Sequence, residues 1–169
     1  MVKTRHTIVA LVGSKPGVLT RMASLFRRRG YNIESIAVGH SEIPDLSRMT
    51  IVVNGTDTLL EQVRKQLNKV VDVVKVVDVT GDNVIARELA LIKVKATSAT
   101  RSEIIEIVDI FRAKIVDVSQ DSLTIEITGD EEKLESLLKL LRNFGIREIA
   151  RTGRIAMQRG QPRPAKEAL

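Results

Sequence analysis

One order of predicted elements occurs twice along the chain, and this internal repeat limits the possible folds more than any other feature. In the first half, apolar runs and alternating apolar residues predict strands, and apolar residues at helical spacing predict helices. The predicted strands cover 7–12, 33–39, 48–54 and 73–79, and the predicted helices cover 18–29 and 58–69. The first half therefore has the order βαββαβ.

The second half has the same order after a turn-rich break at 80–83. The two halves share this pattern without sharing sequence; the second half has predicted strands at 89–96, 115–118, 123–127 and 146–150 and predicted helices at 104–111 and 134–141. A βαββαβ unit folds into an antiparallel sheet with two helices on one face. We therefore predict an α+β protein with two ferredoxin-like domains, 1–80 and 81–157, followed by a basic tail, 158–169.

The composition excludes several classes of site. The 169 residues include no cysteine and no tryptophan, and aromatic residues amount to 2%. Disulfides, thiolate metal sites and cysteine nucleophiles are therefore excluded, and the lack of cysteine fits a reducing, cytoplasmic location. No apolar run approaches the roughly 18–20 residues of a membrane span. The first residues lack the pattern of a secretory signal, so we expect no membrane association.

Positive charge is concentrated in two segments of a chain whose net charge is +6. Five basic residues and one acid follow from Arg151 onward, so this segment contributes a net +4. It is either a solvated tail or a basic arm for an acidic partner or nucleic acid. The run Arg27–Arg29 closes the first predicted helix, where cations interact favourably with the helix dipole.

The sequence shows no catalytic constellation. His6 and His40 are its two histidines; neither has a partner at metal-binding spacing, and we expect His40 to lie in a loop. There is no Walker loop, no nucleophile elbow and no Gly-x-Gly-x-x-Gly motif. We therefore expect this chain to have no enzyme activity of its own and to bind no metal or cofactor.

The segment from Gly13 to Leu19 is the best candidate binding site, because it joins a strand to the start of a helix. The first turn of a helix offers unpaired N–H groups and a partial positive charge, which attract a carboxylate or a phosphate. Ser14 is placed to cap the helix and Pro16 to begin it. Gly17 would let a ligand approach the backbone closely. An ordinary capped turn is the alternative interpretation.

Asn32 favours the binding interpretation. It begins the strand after the same helix, and its amide offers the donor and the acceptor that suit a zwitterionic amino acid. However, Asn32 and the loop lie at opposite ends of helix 18–29. They can meet only if a pocket is shared across a contact between sheets or between chains.

Several segments together form a recognisable combination, which covers about residues 5–157. They are Ser14-Lys-Pro-Gly-Val-Leu, Arg29-Gly-Tyr-Asn-Ile-Glu-Ser, Asp45-Leu-Ser-Arg-Met-Thr-Ile, Leu60-Glu-Gln-Val-Arg-Lys-Gln-Leu-Asn-Lys-Val-Val-Asp-Val, Arg87-Glu-Leu-Ala-Leu-Ile-Lys-Val and Phe111-Arg-Ala-Lys-Ile-Val-Asp-Val. The combination closely resembles the small, regulatory subunits of acetohydroxyacid (acetolactate) synthase. The first segment alone would indicate an ACT domain, the amino-acid-sensing βαββαβ module.

The resemblance implies a regulatory function without catalysis. Such subunits bind and activate a catalytic subunit, which is expected to carry thiamine diphosphate, magnesium and FAD. They also make that transferase sensitive to inhibition by valine, in the biosynthesis of branched-chain amino acids. The resemblance further implies that ACT domains pair side by side in a homodimer and that the effector, L-valine, binds at the dimer interface.

The resemblance also implies a set of effector-binding residues. In the family the loop glycine corresponds to Gly17 and the strand asparagine to Asn32, and the expected set is Ser14, Pro16, Gly17, Val18, Leu19, Asn32 and Ile33. We expect backbone N–H groups of residues 17–19 to hold the ligand carboxylate, and Leu19 and Ile33 to contact its branched side chain. Many members have an asparagine where this chain has Ser14, which leaves the choice among valine, leucine and isoleucine open.

Two other functions fit parts of the sequence. An RNA-binding module can have the order βαββαβ, but such modules stack bases on aromatic residues of the central strands. The strands at 48–54 and 123–127 contain no aromatic residue, so we expect no nucleic-acid partner. An ACT-type amino-acid sensor for another enzyme or for a transcription factor is the second alternative, although no helix-turn-helix is visible.

Overall fold

The computed structural model describes residues 4–81 and 83–160. The chain divides into two compact units, one that runs to Ile85 and resumes at Arg154, and one that comprises Ala86–Gly153. Each unit contains an antiparallel sheet and two helices, so the predicted α+β class with two ferredoxin-like domains is confirmed. The division at Ile85 lies close to the predicted one at residue 80, whereas the segment from Arg154 groups with the first unit.

The first unit follows the predicted order βαββαβ. Its elements are β1 (Thr4–Gly13), α1 (Val18–Arg28), β2 (Ile33–His40), β3 (Leu46–Gly55), α2 (Asp57–Leu67) and β4 (Val73–Asp78). The strands have the order β2-β3-β1-β4, which leaves β2 and β4 at the two edges. His40 is the last residue of β2 and pairs with Ser47, so the prediction that it lies in a loop is wrong.

Alternation of apolar side chains along β1 and β3 creates the core of this unit. The two strands pair along their full length, from Thr4 opposite Gly55 to Gly13 opposite Leu46. Every second residue therefore points toward the helices, where it is buried by apolar residues of α1 and α2. The two strands contribute Ile8, Ala10, Val12, Met49, Ile51 and Val53 to this core, and the helices contribute Val18, Met22, Leu25, Phe26, Leu60, Val63 and Leu67.

The end of α1 is fixed by a Schellman motif, which sets where β2 begins. Gly30 adopts a left-handed conformation with φ 66°, as glycine does readily. Its N–H donates to the carbonyl of Arg27, and the N–H of Tyr31 donates to the carbonyl of Phe26. The rings of Phe26 and Tyr31 pack edge to face with centroids 6.1 Å apart. Gly30 therefore ends the helix and begins the connection to β2.

The second unit repeats the arrangement with its own core. Its elements are β5 (Val84–Lys95), α3 (Arg101–Ile110), β6 (Lys114–Val118), β7 (Ser122–Gly129), α4 (Glu131–Leu141), a 3-10 turn (Arg142–Phe144) and β8 (Ile146–Arg151). The strand order is β6-β7-β5-β8. Asp130 caps α4, since its carboxylate accepts a hydrogen bond of 2.9 Å from the N–H of Lys133. The buried leucines of α4 face the sheet.

A ninth strand, β9 (Ile155–Gln158), follows the second βαββαβ order and was not predicted. It pairs with β5. The first two residues of β5, Val84 and Ile85, are part of the first unit, and so is β9. The Arg48 guanidinium donates to the carbonyl of Ala156 at 3.3 Å. Most of the predicted basic tail, 161–169, lies outside the described residues.

A pair of leucines on α4 tests the assigned core. Leu137 is fully buried, whereas Leu140 is 43% exposed on the same helix. We expect Leu137→Ala to lower the free energy of unfolding by about 2–5 kcal/mol, because it removes buried methyl groups and leaves a cavity. Leu140→Ala should cost well under about 1 kcal/mol. Urea denaturation followed by far-ultraviolet circular dichroism measures both, and equal losses would contradict the assigned core.

Candidate functional site

The predicted binding loop connects β1 to α1 and begins the helix without a side-chain cap. Gly17 is the N-cap residue and adopts the left-handed conformation with φ 84° and ψ −9°. No side-chain cap hydrogen bond forms at this helix end among the described residues, so the prediction that Ser14 caps the helix is wrong. Ser14 is too early in the chain to do so, because the helix starts at Val18 and the preceding residues form a turn.

Two backbone hydrogen bonds hold the loop in place. The N–H of Gly13 donates to the carbonyl of Asp72 at 2.8 Å, and the N–H of Ser14 donates to the carbonyl of Asp45 at 2.8 Å. Asp45 is in the connection between β2 and β3 and has a positive φ of 62°. The loop is therefore attached to both neighbouring connections, and its conformation depends on residues far away in sequence.

The N-terminus of α1 is open to an anionic group. The side chains of Thr56 and Asp130 cap α2 and α4, whereas α1 has neither a side-chain cap nor an acidic residue in its first turn. The carbonyl of Gly17 accepts the first helical hydrogen bond, from the N–H of Arg21. Within the described chain, the N–H groups of Leu19 and Thr20 have no backbone acceptor. This end of the helix therefore presents free donors and a partial positive charge.

A small open pocket of about 210 Å³ lies beside this helix start. It is smaller than the roughly 300–1,000 Å³ of typical drug-sized sites, so it suits a small ligand. Leu19 and Val38 at its rim are each about half exposed. The lining residues are Val12, Gly13, Ser14, Lys15, Val18, Leu19, Val38, Ser47 and Met49. The pocket therefore combines an apolar wall with a polar helix start.

Asn32 and Ile33 lie at the other end of the sheet. Ile33 pairs with Val53 on β3, whereas Gly13, at the start of the loop, pairs with Leu46. These two positions of β3 are 53 − 46 = 7 residues apart, which corresponds to about 23 Å at ~3.3 Å per residue. Asn32 is exposed and precedes the strand. In one chain Asn32 therefore does not reach the pocket.

The expected effector-binding residues thus fall into two groups. Ser14, Val18 and Leu19 line the pocket, and Pro16 and Gly17 belong to the adjoining loop. Asn32 and Ile33 form the distant group. Val38, Ser47 and Met49 also line the pocket, from β2 and β3, and are not among the predicted residues. Strand pairing brings these residues to the pocket, because Val12 and His40 both pair with Ser47, and no local sequence pattern shows it.

Few titratable residues of the described chain have a shifted pKa, and none of them belongs to a cluster that could hold a metal ion. Residues 4–81 and 83–160 contain no group of three histidine, aspartate or glutamate side chains that could hold a metal ion. A hydrogen bond from Lys65 lowers the pKa of the Glu61 carboxyl, and one from Arg147 lowers the pKa of the Asp121 carboxyl. Both are surface ion pairs outside the pocket. In the same residues no helix has the length and apolar character needed to cross a bilayer.

Comparison with known families matches both halves of the chain. Residues 8–75 match the model of the AHAS small subunit-like ACT domain. Residues 87–160 match the model of the small subunit of acetolactate synthase. The first match contains the loop, the pocket and Asn32, and the second contains the second βαββαβ order from Arg87 in β5 onward.

Individual relatives agree with these models over nearly the whole chain. The acetolactate synthase small subunit of Mycolicibacterium smegmatis is 59% identical over 92% of this chain and 91% of its own length. A probable acetolactate synthase small subunit of Archaeoglobus fulgidus is 58% identical over 92% of this chain and 98% of its own.

A solved structure also has the same fold. The acetolactate synthase small subunit of Thermotoga maritima superimposes with a TM-score of 0.86 at 47% identity, and the match covers 94% of this chain and 99% of that one. Sequence, both family models and the fold lead to the same assignment. The chain belongs to the family of acetolactate synthase small subunits.

Proposed function

We propose that this chain binds and activates the catalytic subunit of acetolactate synthase and makes that enzyme sensitive to L-valine. The family membership supports the partner, since a small subunit of a synthase acts with a catalytic one. It also favours this function over an RNA-binding module and over a sensor for another enzyme. The chain itself acts as a regulatory subunit and supplies no catalytic residue.

The observation that carries the proposal is the pocket beside the open N-terminus of α1. The free N–H groups of Leu19 and Thr20 suit a ligand carboxylate. The half-exposed side chains of Leu19 and Val38 suit a branched aliphatic side chain. Within one chain, the described residues lining the pocket include no acidic side chain to receive the ligand's ammonium group.

Pairing of two chains along β2 would complete the site. β2 is an edge strand, so one side of its backbone is unpaired in the isolated sheet. A two-fold axis that passes between two copies of β2, at the middle of each strand, would pair the copies antiparallel. Ile33 would then lie opposite His40 of the second chain. His40 pairs with Ser47, which lines the pocket. Asn32 of one chain would thereby come to the pocket of the other.

This arrangement gives each residue a role. The free N–H groups of Leu19 and Thr20 bind the valine carboxylate, and the amide of Asn32 from the second chain binds the polar end of the ligand. Leu19, together with Ile33 of the second chain, contacts the isopropyl group. Because the ligand contacts both chains, it favours one arrangement of the pair, and the catalytic subunit responds to that arrangement. A preference of about 1–3 kcal/mol for one state is enough for such regulation.

An assay of acetolactate formation tests the proposed function directly. Adding this chain to the catalytic subunit of the same organism should raise the rate, and L-valine should reverse the increase. L-Leucine and L-isoleucine test the specificity, which the shorter reach of Ser14 leaves open, and L-alanine is the control. A rate that does not respond to the chain would contradict the proposal.

Substitution of Gly17 tests the location of the ligand carboxylate. A Cβ at Gly17 would meet no atom within 4 Å, and the φ of 84° is one that L-residues rarely adopt. Gly17→Asp and Gly17→Asn have the same shape, and both tolerate the left-handed region better than most residues. Two carboxylates about 4 Å apart repel by between ~1 kcal/mol in water and ~4 kcal/mol at an effective dielectric constant of 20. We expect Gly17→Asp to bind valine at least tenfold more weakly than Gly17→Asn.

Calorimetric titration with L-valine measures this difference, and thermal melting shows that both variants fold. Activation of the catalytic subunit should persist in both variants. Equal valine affinities in the aspartate and asparagine variants would place the ligand carboxylate elsewhere.

A further inference from the structure

A second and larger groove lies on the helical side of the first unit. Its volume is about 960 Å³, and it runs between one flank of α1 and the segment that connects α2 to β4. Thr20, Ser24 and Arg28 follow each other at intervals of four residues, so they lie on one flank of α1. Lys69, Val70 and Val71 form the opposite wall. The groove shares no lining residue with the effector pocket.

Cations converge on this groove without acidic partners. Arg27, Arg28 and Lys69 are exposed, and none of them makes an ion pair with a described residue. Arg21 also lines the groove, but it is paired with Asp72. The ends of α1 and α2 favour nearby cations, yet a helix end carries only about half a negative charge. Three unpaired cations therefore leave the groove positive.

The groove also exposes apolar surface, which distinguishes it from a simple anion site. The side chain of Val71 is 93% exposed, and Val70 and Leu25 line the groove next to it. A free phosphate would make no favourable contact with this apolar surface. A protein segment with acidic side chains and an apolar anchor matches both the charge and the apolar wall.

The position of the groove is compatible with the proposed pairing of two chains. It is adjacent to the segment that enters β4, and β4 is at the opposite edge of the sheet from β2. Pairing along β2 therefore leaves the groove open.

We propose that this groove docks an acidic segment of the catalytic subunit, with Arg27, Arg28 and Lys69 as its charged contacts. The proposal rests on the proposed function, because that function supplies the partner. It gives a function to the run Arg27–Arg29, whose position at a helix end is otherwise explained by the helix dipole alone. Docking at this place is separate from valine binding, so the two should respond to different substitutions.

Charge reversal tests the docking surface. In Arg27→Glu with Arg28→Glu, we expect the affinity for the catalytic subunit, measured by titrating activation, to fall at least tenfold. The remaining affinity should depend less on salt than that of the wild type, because screened attraction has been removed. Valine binding by the variant alone should stay within twofold of the wild type.

Lys139→Glu with Arg142→Glu is the matched control, because it reverses two exposed cations at the end of α4. This control and the groove variant should both retain the wild-type melting profile, and the control should also retain affinity for the catalytic subunit. Equal losses of affinity in the two variants would overturn the proposal, since the effect would then follow net charge.

Two further outcomes separate the proposal from its alternatives. If the wild-type chain does not activate the catalytic subunit at all, the proposed function fails and the docking surface fails with it. If the wild type activates and the groove variant does so with equal affinity, the docking proposal alone fails. Titration with inorganic pyrophosphate tests whether the groove binds a small anionic ligand instead. If the wild type binds pyrophosphate tightly and the groove variant does not, while both have the same affinity for the catalytic subunit, the docking proposal is also overturned.

Discussion

The pairing of β2 with β3 decides where each part of the proposed effector site lies. Because the register is fixed, Ile33 is opposite Val53 at one end and His40 is opposite Ser47 at the other. The length of the strand therefore separates Asn32 from the loop that carries Gly17, by more than any side chain spans. A site that uses both ends needs a second copy of the strand, and the unpaired edge of β2 is where that copy would pair.

The start of α1 is the second determinant of the site. Gly17 turns the chain into the helix in a left-handed conformation, and no side chain then satisfies the first turn. In α2 and α4 the side chains of Thr56 and Asp130 accept a hydrogen bond from an N–H group of the first turn. The lack of a cap lowers the stability of the helix start, but it leaves donors free for a ligand. The proposed function uses this exposed end, and it places the ligand where two chains meet.

Most of the fold could be predicted from the sequence, because the apolar periodicity of its elements is strong. The sequence predicts α1 at 18–29, and the helix occurs at Val18–Arg28, where the Schellman motif at Gly30 ends it. Strand β9 was missed because only Ala156 of its four residues is buried, so no alternation is visible. The start of β5 was placed too late, since Arg87 and Glu88 interrupt its apolar pattern.

The site was less predictable than the fold. Ser14, Val18 and Leu19 could be named because they surround a loop with recognisable turn residues. Val38 and Met49 could not, since they come to the pocket through strand pairing and look like ordinary strand residues in sequence. The relation between Gly17 and Asn32 depends on a second chain, which no local pattern encodes.

A complementation measurement tests the shared site most directly. Gly17→Asp and Asn32→Ala are each expected to abolish high-affinity valine binding, the second because it removes a polar partner of the ligand. In a mixed dimer of the two variants, one site keeps both Gly17 and Asn32, and the other site loses both. Equal amounts of the variants, unfolded and refolded together, should therefore recover about a quarter of the wild-type valine sites, at wild-type affinity, by statistical pairing. A mixture that binds valine no better than either variant alone would contradict a site shared between two chains.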